Sequence, residues 1–156
     1  MIVAVMNVCL GGTFQVLHKG HRALLLKALR TAGENGYLFI GVTSDEFAQR
    51  KGDVVPYQKR KKSIEQFIRE QRVSTQVSIQ PLSDPYGPAI DGVFDAIVVS
   101  AETRSAAEQI NQRRKQHGKE PLEIIVVPFV LADDNKPISS TRIRNREIDE
   151  NGAVLG

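Results

Sequence analysis

The sequence predicts an α/β protein built on a doubly wound, five-stranded parallel sheet with helices on both faces. Three observations carry this expectation. Short runs rich in Val and Ile, continuous rather than alternating, recur at residues 2–8, 37–43, 76–81, 95–100 and 122–129, as strands buried on both faces require. Between several of them lie stretches with the apolar spacing of amphipathic helices. The chain of 156 residues, 41% hydrophobic and 25% charged, is long enough for one sizeable core and too short for two ordinary domains.

The elements follow in order. The first strand, residues 2–8, belongs to an apolar stretch that reaches Leu10 and stops at Gly11 and Gly12. It is too short to span a bilayer and has no basic segment before it, which argues against a secretory leader or membrane anchor. A helix over residues 20–32 carries Leu25, Leu29 and Ala32 as a stripe, with Arg22, Lys27 and Arg30 off it. After the second strand, a helix starts at Pro56, a good first helical residue because its missing N–H would find no partner there anyway. It places Tyr57, Ile64 and Ile68 on one face. The third and fourth strands precede a helix over residues 103–117, running through Ala106 and Ile110 and stopping at Gly118 as helices often do. The fifth strand closes a sheet of Rossmann-like type, in which ligands bind beyond the carboxyl ends of the strands, near the point where strand order reverses. Function is expected in the loops at residues 11–21, 44–57, 83–90, 100–104 and 130–141.

Charge narrows the classes of ligand. Residues 1–72 hold 12 Lys and Arg against 6 Asp and Glu, and residues 73–156 hold 9 against 12. A basic half suits an anion. With 6% aromatics and no Trp, the stacking platforms of a nucleic-acid groove are scarce, so a small phosphorylated ligand fits better than a polymer. The one cysteine, Cys9, can form neither an internal disulfide nor a CxxC metal knuckle; it reads as a small core residue in a reducing, cytoplasmic setting.

The first loop reads GGTFQVLHKGH over residues 11–21. Gly11 and Gly12 let the chain turn sharply and let backbone N–H groups approach a ligand, or simply make a turn. His18 and His21 stand three apart across a helix start, with Gly20 leaving space above the first turn. A helix N-terminus attracts anions through its free N–H groups and dipole, and two imidazoles there add hydrogen bonds to a phosphate. Metal ligation and an ordinary surface or core pair are the competing readings. Zinc wants a third and fourth ligand, and His117 belongs to the far end of a later helix.

GGTF followed by HKGH, with Ile138, Ser139, Ser140, Thr141, Arg142, Ile143 and Arg144 near the end, resembles the paired signatures of the HxGH nucleotidyltransferase superfamily, which also includes class I aminoacyl-tRNA synthetases. With Ser139 as N-cap, Ile138 and Ile143 fall at the positions of a hydrophobic staple. Within that superfamily, residues 98–103 (VVSAET), 84–88 (DPYGP) and 42–45 (VTSD) are similar to the archaeal and eukaryotic type of phosphopantetheine adenylyltransferase, so the resemblance runs over nearly the whole chain. Gln15 departs from the Asp that many superfamily members carry after GTF.

The resemblance implies a single nucleotidyltransferase domain over residues 1–156 that transfers the adenylyl group of ATP, carried with Mg²⁺, to 4′-phosphopantetheine. It implies catalytic roles for His21 and His18. An ATP site would comprise Gly11, Gly12, Thr13, Phe14, His18, His21, Ser100, Ala101, Glu102, Thr103, Ser139, Ser140, Thr141 and Arg144. Thr13, Lys51 and Arg60 would meet the acceptor phosphate, the last two from a basic stretch at residues 50–62 whose plain reading is a solvated helix face. No resident metal, nucleic acid or membrane is implied, and the oligomeric state, a monomer included, stays open. Two other functions remain: a nucleotidyltransferase of the same fold with nicotinamide mononucleotide, flavin mononucleotide or a phospho-alcohol as acceptor, and a nucleotide-binding sensor without turnover. The missing GxxxxGK[ST] loop argues against a kinase.

Overall fold

Parallel pairing governs the sheet. In a computed structural model, which describes residues 6–49 and 55–156, the strands β1 (Asn7–Gly12), β2 (Tyr37–Thr43), β3 (Gln76–Leu82), β4 (Ala96–Ser100) and β5 (Glu123–Val127) form one sheet in the order β3-β2-β1-β4-β5. All pairs are parallel, with Cys9 opposite Phe39 on one side and Ile97 on the other. The winding reverses at β1, between β2 and β4. The helices are α1 (Lys19–Ala32), α2 (Asp45–Gln49), α3 (Tyr57–Gln71), α4 (Arg104–Gln116) and α5 (Ser140–Arg144).

Side-chain alternation along the strands makes two cores. Val8, Leu10, Leu38, Ile40 and Val98 face Leu25, Ala28 and Leu29 of α1 and Ile64 and Phe67 of α3. Cys9, Ile97 and Val99 face the other way, onto Ala107 and Ile110 of α4. The sheet is thus covered on both faces, as the continuous apolar strands require. Burial pushes the Cys9 thiol up to about 12, so it stays a neutral core group.

The expected elements are present, with shifted ends. Of the first expected strand, residues 2–5 lie outside the described residues, and β1 runs further, through Gly11 and Gly12. Glycine weakens a strand but does not stop one that is paired, and these two pair with Gly41 and Val42. Pro81 sits inside β3, permitted because β3 is an edge strand whose missing N–H costs no ladder bond. β5 stops before Pro128 rather than at 129. Pro56 is the N-cap of α3, not its first residue, and Gly118 follows α4 with φ of 73°. The short helix α2 had no sequence expectation. Its five residues make little more than one turn, too short for an apolar stripe to show, and Ser44 starts it by accepting the Phe47 N–H.

The last residues fold back on the first helix. The Lys19 N–H donates to the Glu150 carbonyl at 2.9 Å, and Arg22 reaches Asn151 at 2.6 Å. A small third core of Ala132, Ile138 and Ile148, with Val130 and Ile143 against it, supports the segment that carries α5.

Candidate functional site

At the carboxyl ends of the strands lies a cleft of about 580 Å³. Its floor at β1 is Gly11, Gly12, Thr13 and Phe14, and His18, Gly20 and His21 follow from α1. Phe14 takes φ of 52°, a left-handed conformation that costs a non-glycine residue on the order of 1–3 kcal/mol. Its ring is buried at 3% exposure and packs 5.0 Å, centroid to centroid, from the ring of His21. The turn is therefore held by packing.

The two imidazoles stack, with centroids 3.7 Å apart and planes 16° from parallel. Their tautomers follow from the backbone. His18, the N-cap of α1, accepts the His21 N–H on Nδ1 at 3.2 Å, so its neutral ring carries the proton on Nε2. The Nδ1 of His21 donates to the Val16 carbonyl at 2.8 Å, so its neutral ring presents an Nε2 lone pair. Burial, with the neighbouring His21 and Arg22 charges adding to it, brings the His18 pKa down from 6.5 to about 3. Burial also lowers that of His21, against the opposing pull of the Val16 carbonyl. Gly20 is what makes the stack possible: a Cβ there would stand 2.9 Å from Cε1 of His18.

The opposite wall comes from the far end of the sequence. Ser139 is the N-cap of α5, accepting the Arg142 N–H at 3.2 Å, with Ile138 and Ile143 packed in the third core as a staple places them. Ser139, Ser140, Thr141 and Arg144 line the cleft. Arg142 does not. It pairs with Asp134 and donates to the Pro137 carbonyl at 3.0 Å, pinning the preceding loop. On a third side, the Ser100 N–H donates to Thr103 Oγ1 and the Thr103 N–H to Ser100 Oγ, a reciprocal pair that shapes the β4 turn and leaves Ser100, Glu102 and Thr103 in the wall.

Two expected site residues fall elsewhere, and a third is not described. Ala101 is exposed and is not part of the cleft wall. Lys51 lies outside the described residues. Arg60 is a correction: it is 1% exposed, bonded to protein groups on every side and absent from the cleft lining, so it is not available to an acceptor phosphate. The basic stretch suggested a phosphate ligand, but helical phase puts Arg60 on the same face as Ile64 and Phe67, and that phase was the signal in the sequence.

Apart from Val99, which belongs to the segment 98–103, the apolar part of the cleft had no motif to announce it. Leu82, Ile97, Val99, Ile110, Val127 and Phe129 line it because they sit at or near the ends of β3, β4 and β5 and on α4. Asp84 and Pro85 join them, with Asp84 held in its turn by accepting the Tyr86 and Gly87 N–H groups at 2.8 and 2.7 Å.

A cytidylyltransferase-like family model matches residues 9–146, which contain both walls of the cleft. A phosphopantetheine adenylyltransferase of Methanosarcina acetivorans is 45% identical over 149 residues, covering 95% of each chain. One from Methanothermobacter thermautotrophicus is 47% identical, over 95% of this chain and 88% of its own. The chain belongs to the archaeal-type phosphopantetheine adenylyltransferases, within the cytidylyltransferase-like family. Among solved structures, a protein of unknown function from Archaeoglobus fulgidus is 36% identical with a TM-score of 0.70, over 78% of this chain and 89% of that one. A putative nicotinate-nucleotide adenylyltransferase from Vibrio parahaemolyticus, 14% identical with a TM-score of 0.56 over 95% and 83%, shares the nucleotidyltransferase fold. Among the described residues, no helix is long and apolar enough to cross a membrane.

Proposed function

We propose that the protein transfers the adenylyl group of ATP to 4′-phosphopantetheine, giving dephospho-coenzyme A and pyrophosphate. The observation that carries this reading is the convergence of the two signatures: His18 and His21 on one wall of a single cleft, and Ser139, Ser140, Thr141 and Arg144 on another. These residues are more than 100 positions apart in the sequence.

The attacking group is a phosphate oxygen. A phosphomonoester has its second pKa at about 6, so at neutral pH it is already largely the dianion and needs no general base. The work left to the protein is alignment of two anions and stabilisation of charge on the α-phosphate and the departing pyrophosphate. His18, neutral, donates from Nε2. His21 donates from its Nε2 once protonated, and the approaching phosphate charge favours that proton. Thr13 and the Gly11 and Gly12 backbone orient the acceptor phosphate. Ser139, Ser140, Thr141 and Arg144 hold the β and γ phosphates, and Ser100, Glu102 and Thr103 take the nucleoside side.

Mg²⁺ arrives with the triphosphate, bound by phosphate oxygens and water. The groups this chain turns toward the phosphates are imidazole, hydroxyl, amide and guanidinium, which suit the anion rather than the ion. The apolar lining beyond them suits the pantetheine arm.

The test is pyrophosphate release with ATP or CTP across a set of acceptors. Turnover with ATP and 4′-phosphopantetheine, and not with nicotinamide mononucleotide, flavin mononucleotide or a phospho-alcohol, is expected. Nucleotide binding without pyrophosphate release for any acceptor rejects catalysis. His21→Ala is expected to keep the fold and lose at least tenfold in kcat; near-wild-type turnover in that variant removes the role given to His21.

A further inference from the structure

The guanidinium of Arg60 does not line the cleft, yet its hydrogen bonds tie together the segments that build the cleft floor. Its side chain is fully buried. Nε donates to the Val55 carbonyl at 2.7 Å. Nη1 donates to the Thr13 carbonyl at 2.9 Å, to the Thr43 carbonyl at 2.8 Å and to Thr43 Oγ1 at 3.3 Å. Nη2 donates to Asp45 Oδ1 at 2.9 Å, and that oxygen also accepts the Tyr57 N–H at 2.8 Å. The same junction has a second tie, since the Val55 N–H donates to Gln15 Oε1 at 3.1 Å. One planar cation therefore bonds to the turn after β1, the end of β2, the start of α2 and the residues that lead into α3.

This is more than a surface ion pair arranged for stability. A buried charge is costly unless each donor is met, and here two of the acceptors, the Thr13 and Thr43 carbonyls, stand at the ends of the two strands that frame the site. The Thr13 bond has a further effect. In a trans peptide the C=O and the following N–H point in opposite directions, so drawing the Thr13 carbonyl onto Arg60 turns the Phe14 N–H away from Arg60. Phe14 is the residue held at φ of 52°. Arg60 thereby fixes the orientation of a peptide in the cleft floor whose neighbouring residue could not hold it by local preference.

We propose that Arg60 is a positioning residue for adenylyl transfer, acting through the Thr13–Phe14 peptide and Thr43 to set where the acceptor phosphate stands relative to the α-phosphate. It rests on the function proposed above. A guanidinium is needed because the acceptors are met by three separate nitrogens, Nε, Nη1 and Nη2, and Lys offers a single point of charge without that fork. The wall formed by Ser139, Ser140, Thr141 and Arg144 makes no bond to Arg60, so nucleotide binding is left largely intact when Arg60 is changed.

The test compares Arg60→Lys, Arg60→Gln and Asp45→Asn with wild type, each checked for cooperative melting and assayed well below its own midpoint. Expected is a fall in kcat of at least tenfold for both Arg60 variants, with KM for ATP changed less than threefold, and a smaller fall in the same direction for Asp45→Asn. A role in stability alone would lower the melting midpoint and leave kcat per folded molecule unchanged, and that result in the folded variants overturns the inference by itself. Should Arg60→Gln not fold, Arg60→Lys and Asp45→Asn decide it on the same criterion. Wild-type protein that releases no pyrophosphate from ATP and 4′-phosphopantetheine overturns the functional reading and takes the inference with it.

Discussion

At neutral pH both imidazoles of the cleft are uncharged in the free protein, because burial lowers each pKa from 6.5. The linkage is directional. In the unfolded chain His18 gains a proton as pH falls through 6.5, whereas in the folded protein it resists until about 3. The unfolded state therefore binds more protons in that window, and the stability His18 contributes is complete above pH 6.5 and lost as pH falls toward 3. The loss approaches about 1.4 kcal/mol per pH unit. His18→Asn isolates this term, since Asn keeps a side-chain acceptor for the His21 N–H and is a favoured N-cap that does not titrate. Urea melts from pH 7 to pH 4 are expected to show wild type losing about 1–3 kcal/mol more than the variant. Parallel curves for the two proteins would mean that His18 is not held neutral.

The HxGH turn shows at the level of an element why particular residues recur at a helix start. His18 caps α1, His21 lies one turn on, and Gly20 is the space between them. Gly20→Ala separates stability from function. The alanine improves helix propensity by up to about 1 kcal/mol, but its Cβ would displace the His18 ring from the cap and the stack. A melting midpoint close to wild type with at least a tenfold loss of kcat is expected; full activity would show that the stack has no role.

The same turn marks what could be read in the sequence. Strands buried on both faces, the stripe of α1 and the staple around Ser139 are local patterns, and among the described residues they appear in the expected order, the strands with shifted ends. Gly11 and Gly12 misled because a turn residue and a paired strand residue look alike until the neighbouring strand is known. Arg60 misled in a related way. Its charge pointed to a ligand, while its burial depends on Thr13, Thr43 and Asp45, up to 47 positions distant. The apolar cleft wall was illegible for that reason too, because it is assembled by strand order rather than by any contiguous segment.

For the whole molecule, a ligand that bridges the cleft walls should link the two ends of the chain. ATP at 100 times its dissociation constant is expected to stabilise the fold by about 2.7 kcal/mol, a rise in Tm of about 5–11 °C for a chain of this size. CTP at the same concentration is expected to give a smaller rise, and equal shifts would argue against adenine selection. The docking of Glu150 and Asn151 onto Lys19 and Arg22 has a consequence for biosynthesis. During translation, β1, β2 and α1 can leave the ribosome and pair before Glu150 and Asn151, which seal the start of α1, have been made. The second wall of the cleft, at residues 139–144, and the contacts of residues 150 and 151 can form only after the first four strands have been made, so closing the reaction centre is a late step in the order of synthesis.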